Sequence, residues 1–237
     1  EISCSLVGSE MCIRDRELIA AAVETEKLSH VDLYGIGTNL TCFSFIQADE
    51  EKMECLAEMR RKVENAAGHT LEIVSGGNSA ALDLMMRGGI CEGVDNFRLG
   101  ESLLFGKERS RYTFLPGTRN DGFILECEVV EAKVKPSLPW GTAGVDSYGR
   151  KPVFTDRGEK RKKVICAIGR QDFDAETATP VDEGILILGA SSDHLMLDVT
   201  DSVKEYKVGD IVELRLGYFS VLRAFTSPYV EKIFLKK

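Results

Sequence analysis

LEIVSGG (Leu71–Gly77) runs without a break into NSAALDLMMR (Asn78–Arg87). An apolar, β-branched run ends in glycine and gives way to a helical pattern over Ser79–Arg87, and repeats of that unit build parallel sheets. Outward from it the same grammar recurs. Upstream, VDLYGIGT (Val31–Thr38) reads as a strand and Asp49–Ala67 as an amphipathic helix, with Glu17–Leu28 as the end of an earlier helix. Downstream, VDNFRLG (Val94–Gly100) reads as a strand and Glu101–Gly106 as a short helical turn. Parallel sheets place ligands at the carboxyl ends of their strands. The chemistry is therefore expected at Gly37–Cys42, Ser75–Leu82 and Phe97–Gly106.

After Pro116 the pattern changes. Phe123–Lys135, Lys162–Gly169, Gly184–Gly189, His194–Thr200, Asp210–Leu216 and Tyr229–Leu235 are strand-like, joined by Gly, Pro and Asp turns with no long helix between them. This predicts a second, all-β domain of Greek-key or barrel type. The expected organisation is α/β over residues 17–116 followed by all-β over 117–237. Residues 1–16, EISCSLVGSEMCIRDR, resemble translated adapter sequence and are set aside as non-native; a native edge strand and turn is the alternative.

The 237 residues carry 30 Lys+Arg against 38 Asp+Glu, a formal charge of −8. Nucleic-acid binders and anionic-membrane binders normally carry a basic field, so neither class is expected. The basic run Arg157–Lys163 reads as a solvated hairpin tip rather than a phosphate patch. No apolar run approaches the ~20 residues that cross a bilayer, and the seven cysteines are scattered without any CxxC pair. Reduced thiols and a cytoplasmic location are the expectation, with no metal site. A (β/α)8 barrel needs ~250 residues, so three βα units read as the C-terminal part of a TIM barrel whose beginning is absent.

Ser75–Ser79 precede a helix and offer backbone N–H groups, a hydroxyl and a helix start to an anion. Gly100 and Glu101 offer a second helix start. Two such starts facing one point make a phosphate cradle, whereas either alone reads equally as a capped helix. Arg98, at a strand end beside Phe97, is expected to point into the barrel mouth, where it needs an acceptor: a ligand, or a neighbouring carboxylate.

GIGTNLTCF (Gly35–Phe43), EIVSGGNSAAL (Glu72–Leu82), FRLGESLLFG (Phe97–Gly106), AIGRQD (Ala167–Asp172), GASSDHLMLDVTD (Gly189–Asp201) and KVGDIVELRLGY (Lys207–Tyr218) together resemble the alanine racemase-type family of pyridoxal phosphate enzymes, in its alanine/ornithine racemase branch. The resemblance spans almost everything from Glu17 to Phe234. It implies a barrel followed by a β domain, pyridoxal 5′-phosphate as cofactor, a small amino-acid substrate and a homodimer with shared active sites. Residue by residue, it gives Ser79 and the backbone of Gly100 and Glu101 to the cofactor phosphate and Arg98 to the pyridine nitrogen. Asn39 stands where the family usually has a ring-side histidine. Tyr148, in DSYGRKP, matches the catalytic tyrosine; Asp193, with Ser192, matches a stretch that receives the substrate carboxylate; Tyr229 lies one position from a second phosphate-binding tyrosine.

Each has a plainer reading: Tyr148 a turn residue beside Pro152, Asp193 an Asx turn. His194 reads as structural. The family's cofactor-linking lysine belongs to the first barrel strand and has no counterpart here, since Lys27, Lys52 and Lys62 read as helix-surface residues. The fragment is expected to be inactive alone. A decarboxylase of the same fold is a second reading, opposed by FRLGE and SSD where that branch has Glu-Pro-Gly-Arg and a cysteine before the distal aspartate. A non-catalytic binding module is the third; it leaves Asn39, Ser79 and Arg98 without a shared task.

Overall fold

The computed structural model describes residues 15–41, 45–145, 149, 151 and 153–236, with backbone alone at 15 and 16. The chain divides into two compact units, Glu1–Arg119 and Asn120–Lys237. Most of the adapter-like stretch and the tyrosine candidate Tyr148 lie outside the described residues.

In the first unit helix α1 (Asp15–Thr25) leads to strand β1 (Gly35–Gly37), helix α2 (Glu50–Ala67) and strand β2 (Ile73–Ser75). A 3-10 turn at Ser79–Ala81 runs into α3 (Leu82–Met86), and α4 spans Glu101–Phe105. α2 forms where the sequence places it. Asp49 caps its start, accepting from the Lys52 N–H at 2.9 Å, and Gly68 ends it in the left-handed conformation at φ 80°. Between the caps Met53, Leu56, Met59 and Val63 recur at helical spacing and are buried. They join Ile36, Val74 and Leu84 in one core, where burying each such side chain is worth about 2 kcal/mol.

β1 and β2 pair in parallel, Gly35 opposite Ile73 and Gly37 opposite Ser75. The strand expected over Val94–Gly100 is not formed as such: it is reduced to a single parallel bridge between Ser75 and Asn96. The cause is local. The Val74 N–H, which would continue a ladder, is taken by the Asp95 carboxylate at 2.8 Å. The segment still tracks β2, with Gly76 N–H bonded to Asn96 O and Arg98 N–H bonded to Gly77 O, so three chain segments end side by side.

The second unit is a six-stranded, barrel-like antiparallel sheet in the order β5-β8-β3-β4-β7-β6. Its strands are β3 (Ile124–Lys135), β4 (Arg161–Cys166), β5 (Ala178–Pro180), β6 (Leu186–Ala190), β7 (Leu195–Asp198) and β8 (Ile211–Leu216). β3 pairs with β8 through Ile124–Glu128 and with β4 through Val129–Lys135, with a register shift between Val129 and Glu131. The shift bends one strand between two neighbours. Leu125, Cys127 and Val129 alternate inward and meet Val164, Leu195, Leu197, Val212 and Leu214, all buried.

Two expectations fail at the C-terminal end. Tyr218–Thr226 forms an unexpected helix, α5. Tyr229–Leu235 forms no strand: it pairs with no sheet neighbour among the described residues, and Tyr229, Ile233, Phe234 and Leu235 are exposed. The backbone leaving α5 is committed elsewhere. Ser227 Oγ donates to buried Asp172 at 2.7 Å and accepts from the Tyr229 N–H at 3.1 Å.

Candidate functional site

Five of the residues singled out from sequence, Asn39, Ser79, Arg98, Gly100 and Glu101, fall in the first unit, at or just beyond the carboxyl ends of its parallel segments. β1 runs out at Thr38, whose N–H bonds Ser75 O at 2.9 Å, and β2 runs out at Gly76 and Gly77. Gly77 has φ 119°, a left-handed conformation that favours glycine. A Cβ on Gly76 would lie 2.7 Å from the Phe97 ring, so this turn is fixed by close packing at Gly76 and by backbone conformation at Gly77.

Arg98 reaches across the ends of both strands. Its Nη1 donates to Ser75 Oγ at 2.5 Å and its Nη2 to the Thr38 carbonyl at 2.8 Å. No carboxylate pairs with it among the described residues. The guanidinium is thus held by neutral acceptors, and its positive charge is left for another partner.

Asn39 is oriented by its neighbour. Asn78 Nδ2 donates to Asn39 Oδ1 at 2.6 Å and to the Leu40 carbonyl at 3.0 Å, while Asn78 Oδ1 accepts from the Ala80 N–H at 2.7 Å. The Asn39 oxygen therefore accepts within the chain, and what its amide has to offer a ligand is the N–H₂ donor.

The two expected helix starts do meet. Ser79, 5% exposed, begins the 3-10 turn, and its Oγ accepts from the Ser102 N–H at 3.2 Å and lies 3.1 Å from Ser102 Oγ. Gly100 caps α4 without a side-chain cap bond, and a Cβ built on it meets nothing within 4 Å. Glu101 is buried, and its carboxylate binds Arg109 Nη1 at 2.8 Å. The ion pair balances the one acidic side chain at this helix start. Burial, reinforced by the Glu101 charge, pushes the Tyr112 phenol up from its ordinary value.

Ser102, Arg109 and the Thr38 carbonyl are the participants that sequence reasoning missed. Their partners lie 8 to 60 residues away, so only the fold brings them in. Nearby, Glu108 is 3% exposed and organises the loop after α4. Burial alone would raise its carboxyl, but hydrogen bonds from Ser110, Thr113 and Arg111 outweigh it and hold it below the usual range.

Asp193 and Tyr229 belong to the second unit. Asp193 lies in an exposed turn and accepts from Ser192 Oγ at 2.9 Å and Ser191 Oγ at 3.3 Å. The Ser192 hydroxyl, ahead of weaker contributions that include His194, holds its carboxyl below the ordinary value. The turn is seated on Gly169, where a Cβ would lie 2.2 Å from the Asp193 nitrogen. Tyr229 is 78% exposed. Within the basic run Arg161 binds Asp198 and Asp201, Lys162 binds Glu205, and Lys163 donates to the Pro136 carbonyl. A cavity of about 760 Å³ on this unit is lined by Leu138, Trp140, Phe154, Ile165, Leu188 and Met196, and contains none of the expected site residues.

Among the described residues no cluster of three or more His, Cys, Asp or Glu could hold a metal ion, and no helix is long and apolar enough to cross a membrane.

No family model matches the chain. Over 209 residues it is 45% identical to the ornithine racemase of Acetoanaerobium sticklandii, covering 88% of this chain and 59% of that protein. Over 214 residues it is 42% identical to the lysine racemase of Thermotoga maritima, covering 90% of this chain and 60% of that protein. The chain thus spans about 60% of the length of these curated relatives. Among solved structures it is similar to the alanine racemase of Streptomyces coelicolor A3(2), with a TM-score of 0.51 and 14% identity, covering 90% of this chain and 54% of that one; this likeness bears on the fold alone.

Proposed function

We propose, from the chain's similarity to an ornithine racemase and a lysine racemase, that it belongs to the alanine racemase-type family and is part of a pyridoxal phosphate-dependent amino-acid racemase acting on ornithine or a similar basic amino acid. In this reading residues 17–116 are the C-terminal part of a (β/α)8 barrel and residues 117–237 its β domain. The working form is a homodimer with shared active sites.

One observation carries the reading. Arg98 is fixed across two strand ends by a hydroxyl and a carbonyl and has no carboxylate partner among the described residues. A guanidinium left charged at a strand-end rim is available to an acceptor from a ligand. The fit to the cofactor rests on the donor set. Ser79 and Ser102 bring their hydroxyls together at the start of α4, Gly100 adds no side-chain cap there, and open space lies off Gly100, where a phosphate could approach the backbone.

When bound, pyridoxal phosphate supplies an electron sink that acidifies the amino acid's Cα hydrogen. Ser79 and the Gly100–Glu101 backbone would hold the phosphate. Arg98 would donate a hydrogen bond to the ring nitrogen without surrendering a proton, and Asn39 would supply a further donor. Tyr148 would move a proton on one face of Cα, and the Ser192–Asp193 stretch would help receive the substrate carboxylate through its hydroxyl and backbone N–H donors rather than through the Asp193 carboxylate. Tyr229 is the remaining phosphate candidate. The names of the two relatives, ornithine and lysine racemase, support a basic side chain on the substrate.

The test is titration of pyridoxal phosphate into the protein at the full length of its relatives, followed by polarimetry with ornithine, lysine and alanine. Loss of optical activity in a basic amino acid is expected. Carbon dioxide release would select the decarboxylase, and failure to bind the cofactor would overturn the reading. The 237-residue chain alone is expected not to racemise. All four lysines of its first unit are engaged elsewhere: Lys27 with Glu24, Lys52 with Asp49, Lys62 with Glu58, and Lys107 over the Tyr112 and Phe114 rings.

A further inference from the structure

We infer that Ser75 is a positioning residue for Arg98: its hydroxyl aims the guanidinium, and through it sets cofactor affinity. The inference rests on the cofactor reading above but concerns a residue to which that reading gives no role.

Ser75 is the last residue of β2 and is 5% exposed. Its Oγ accepts from Arg98 Nη1 at 2.5 Å, while the Thr38 carbonyl accepts from Nη2 at 2.8 Å. Two acceptors on two strands fix both the direction and the plane of the guanidinium. The third wall is Gly37, where a Cβ would lie 3.0 Å from Ser75 Cβ and 3.2 Å from Arg98 Nη1. The arginine therefore lies close over a backbone position that has little room for a side chain.

Arginine carries more rotamer entropy than most residues, and a ligand that must freeze it binds more weakly. The Ser75 hydroxyl removes that freedom beforehand. Because the acceptor is neutral, the charge is not quenched as a carboxylate would quench it. Of the five N–H donors of a guanidinium, two are used by Ser75 and Thr38. The other three have no acceptor among the described residues.

Removing the hydroxyl should weaken pyridoxal phosphate binding about tenfold, the size expected for releasing one rotamer-rich side chain. The experiment is a double-mutant cycle. Cofactor dissociation constants are measured by absorbance titration for wild type, Ser75→Ala, Arg98→Ala and the double variant, at the full length of the relatives. If Ser75 acts through Arg98, Ser75→Ala has no further effect once Arg98 is gone, and Ser75→Thr restores wild-type affinity. Additive losses would overturn the inference, because Ser75 would then act by another route.

A second measurement needs no cofactor. Nitrogen-15 NMR should show hindered rotation of the Arg98 guanidinium in the wild type, rapid rotation in Ser75→Ala, and hindrance recovered in Ser75→Thr. Free rotation in the wild type sinks the inference whatever the titrations show. Failure of every form to bind, wild type included, sinks the cofactor reading and the affinity role together, while the NMR result still decides whether Ser75 holds the arginine.

Discussion

Arg98 and Arg161 are the same side chain in opposite circumstances. Arg161, in the β unit, is bound by Asp198 at 2.8 Å and Asp201 at 2.7 Å. Asp198 in turn is 1% exposed and accepts from the Thr200 N–H and hydroxyl. Every charge there is answered within the chain, so the arginine serves the fold. Arg98 is held as firmly, by Ser75 and Thr38, but by groups that carry no opposite charge. The difference separates an arginine that the structure consumes from one that it presents.

The largest effect expected from this contrast is on stability. Asp198→Ala leaves Arg161 without its buried partner and removes the Thr200 contacts, which should cost about 3 kcal/mol, seen as a lower urea midpoint. Arg98→Ala, at an exposed position, should change the midpoint by less than about 0.5 kcal/mol while abolishing tight cofactor binding. Equal destabilisation by the two would erase the distinction.

Acid should sharpen it next. Glu108 and Asp198 both have carboxyls held below their ordinary values, against the opposing effect of burial: Glu108 by Ser110 and Thr113, Asp198 by Arg161 and Thr200. A carboxyl with a lowered folded pKa contributes stability in full above its unfolded value, and that contribution fades as pH falls through the folded value. The unfolded values are near 4.5 for Glu108 and 3.8 for Asp198, so the urea midpoint should decline below about pH 4.5. Glu108→Gln should cost about 2 kcal/mol at neutral pH and flatten the acid decline. An unchanged pH profile in that variant would show that Glu108 is not the group responsible.

Cofactor affinity can be moved with a modest change in stability. Gly100→Ala places a methyl where nothing lies within 4 Å, at a backbone conformation of φ −121° and ψ −70° outside the main allowed regions for alanine. Stability should fall by about 1 kcal/mol. Binding of pyridoxal phosphate should fall about tenfold, equivalent to ~1.4 kcal/mol, because the methyl occupies the approach to the helix start. Unaltered affinity would place the phosphate elsewhere.

Much of this was legible in the sequence where one element carries its own signal. The α2 helix shows an acidic cap and a stripe from Met53 to Val63, and the first half of β3 alternates inward at Leu125, Cys127 and Val129. What sequence could not reveal depends on competition between elements. Asp95 takes the N–H that would have extended the ladder along the Val94–Gly100 segment. Ser227 is tied to Asp172, 55 residues away, and the chain beyond it forms no strand. Helix α5 was legible in principle: buried Ser220, Val221 and Ala224 recur at helical spacing, but its nine residues follow a strand directly, with no side-chain cap at Gly217 to mark the start. Within the candidate site, residue types announced Ser79, Arg98 and Gly100, and Ser75, Thr38 and Ser102 lie in the expected strand-end segments, but which of them bonds which comes from folding.

The smallest expected effect concerns Asp193, where the structure retains both the turn and the functional reading. Ser192 contributes the first cause of its lowered pKa, so Ser192→Ala should move the Asp193 titration upward toward the ordinary aspartate range, read from the carboxyl carbon-13 shift against pH. Ser191 Oγ at 3.3 Å remains as a second donor, which keeps the change small and leaves the turn on Gly169 in place. The two readings part when substrate is present. An aspartate that only shapes the turn titrates identically with and without bound amino acid, whereas one that helps receive the substrate shifts on its addition. No shift in the liganded full-length protein would assign Asp193 to the turn.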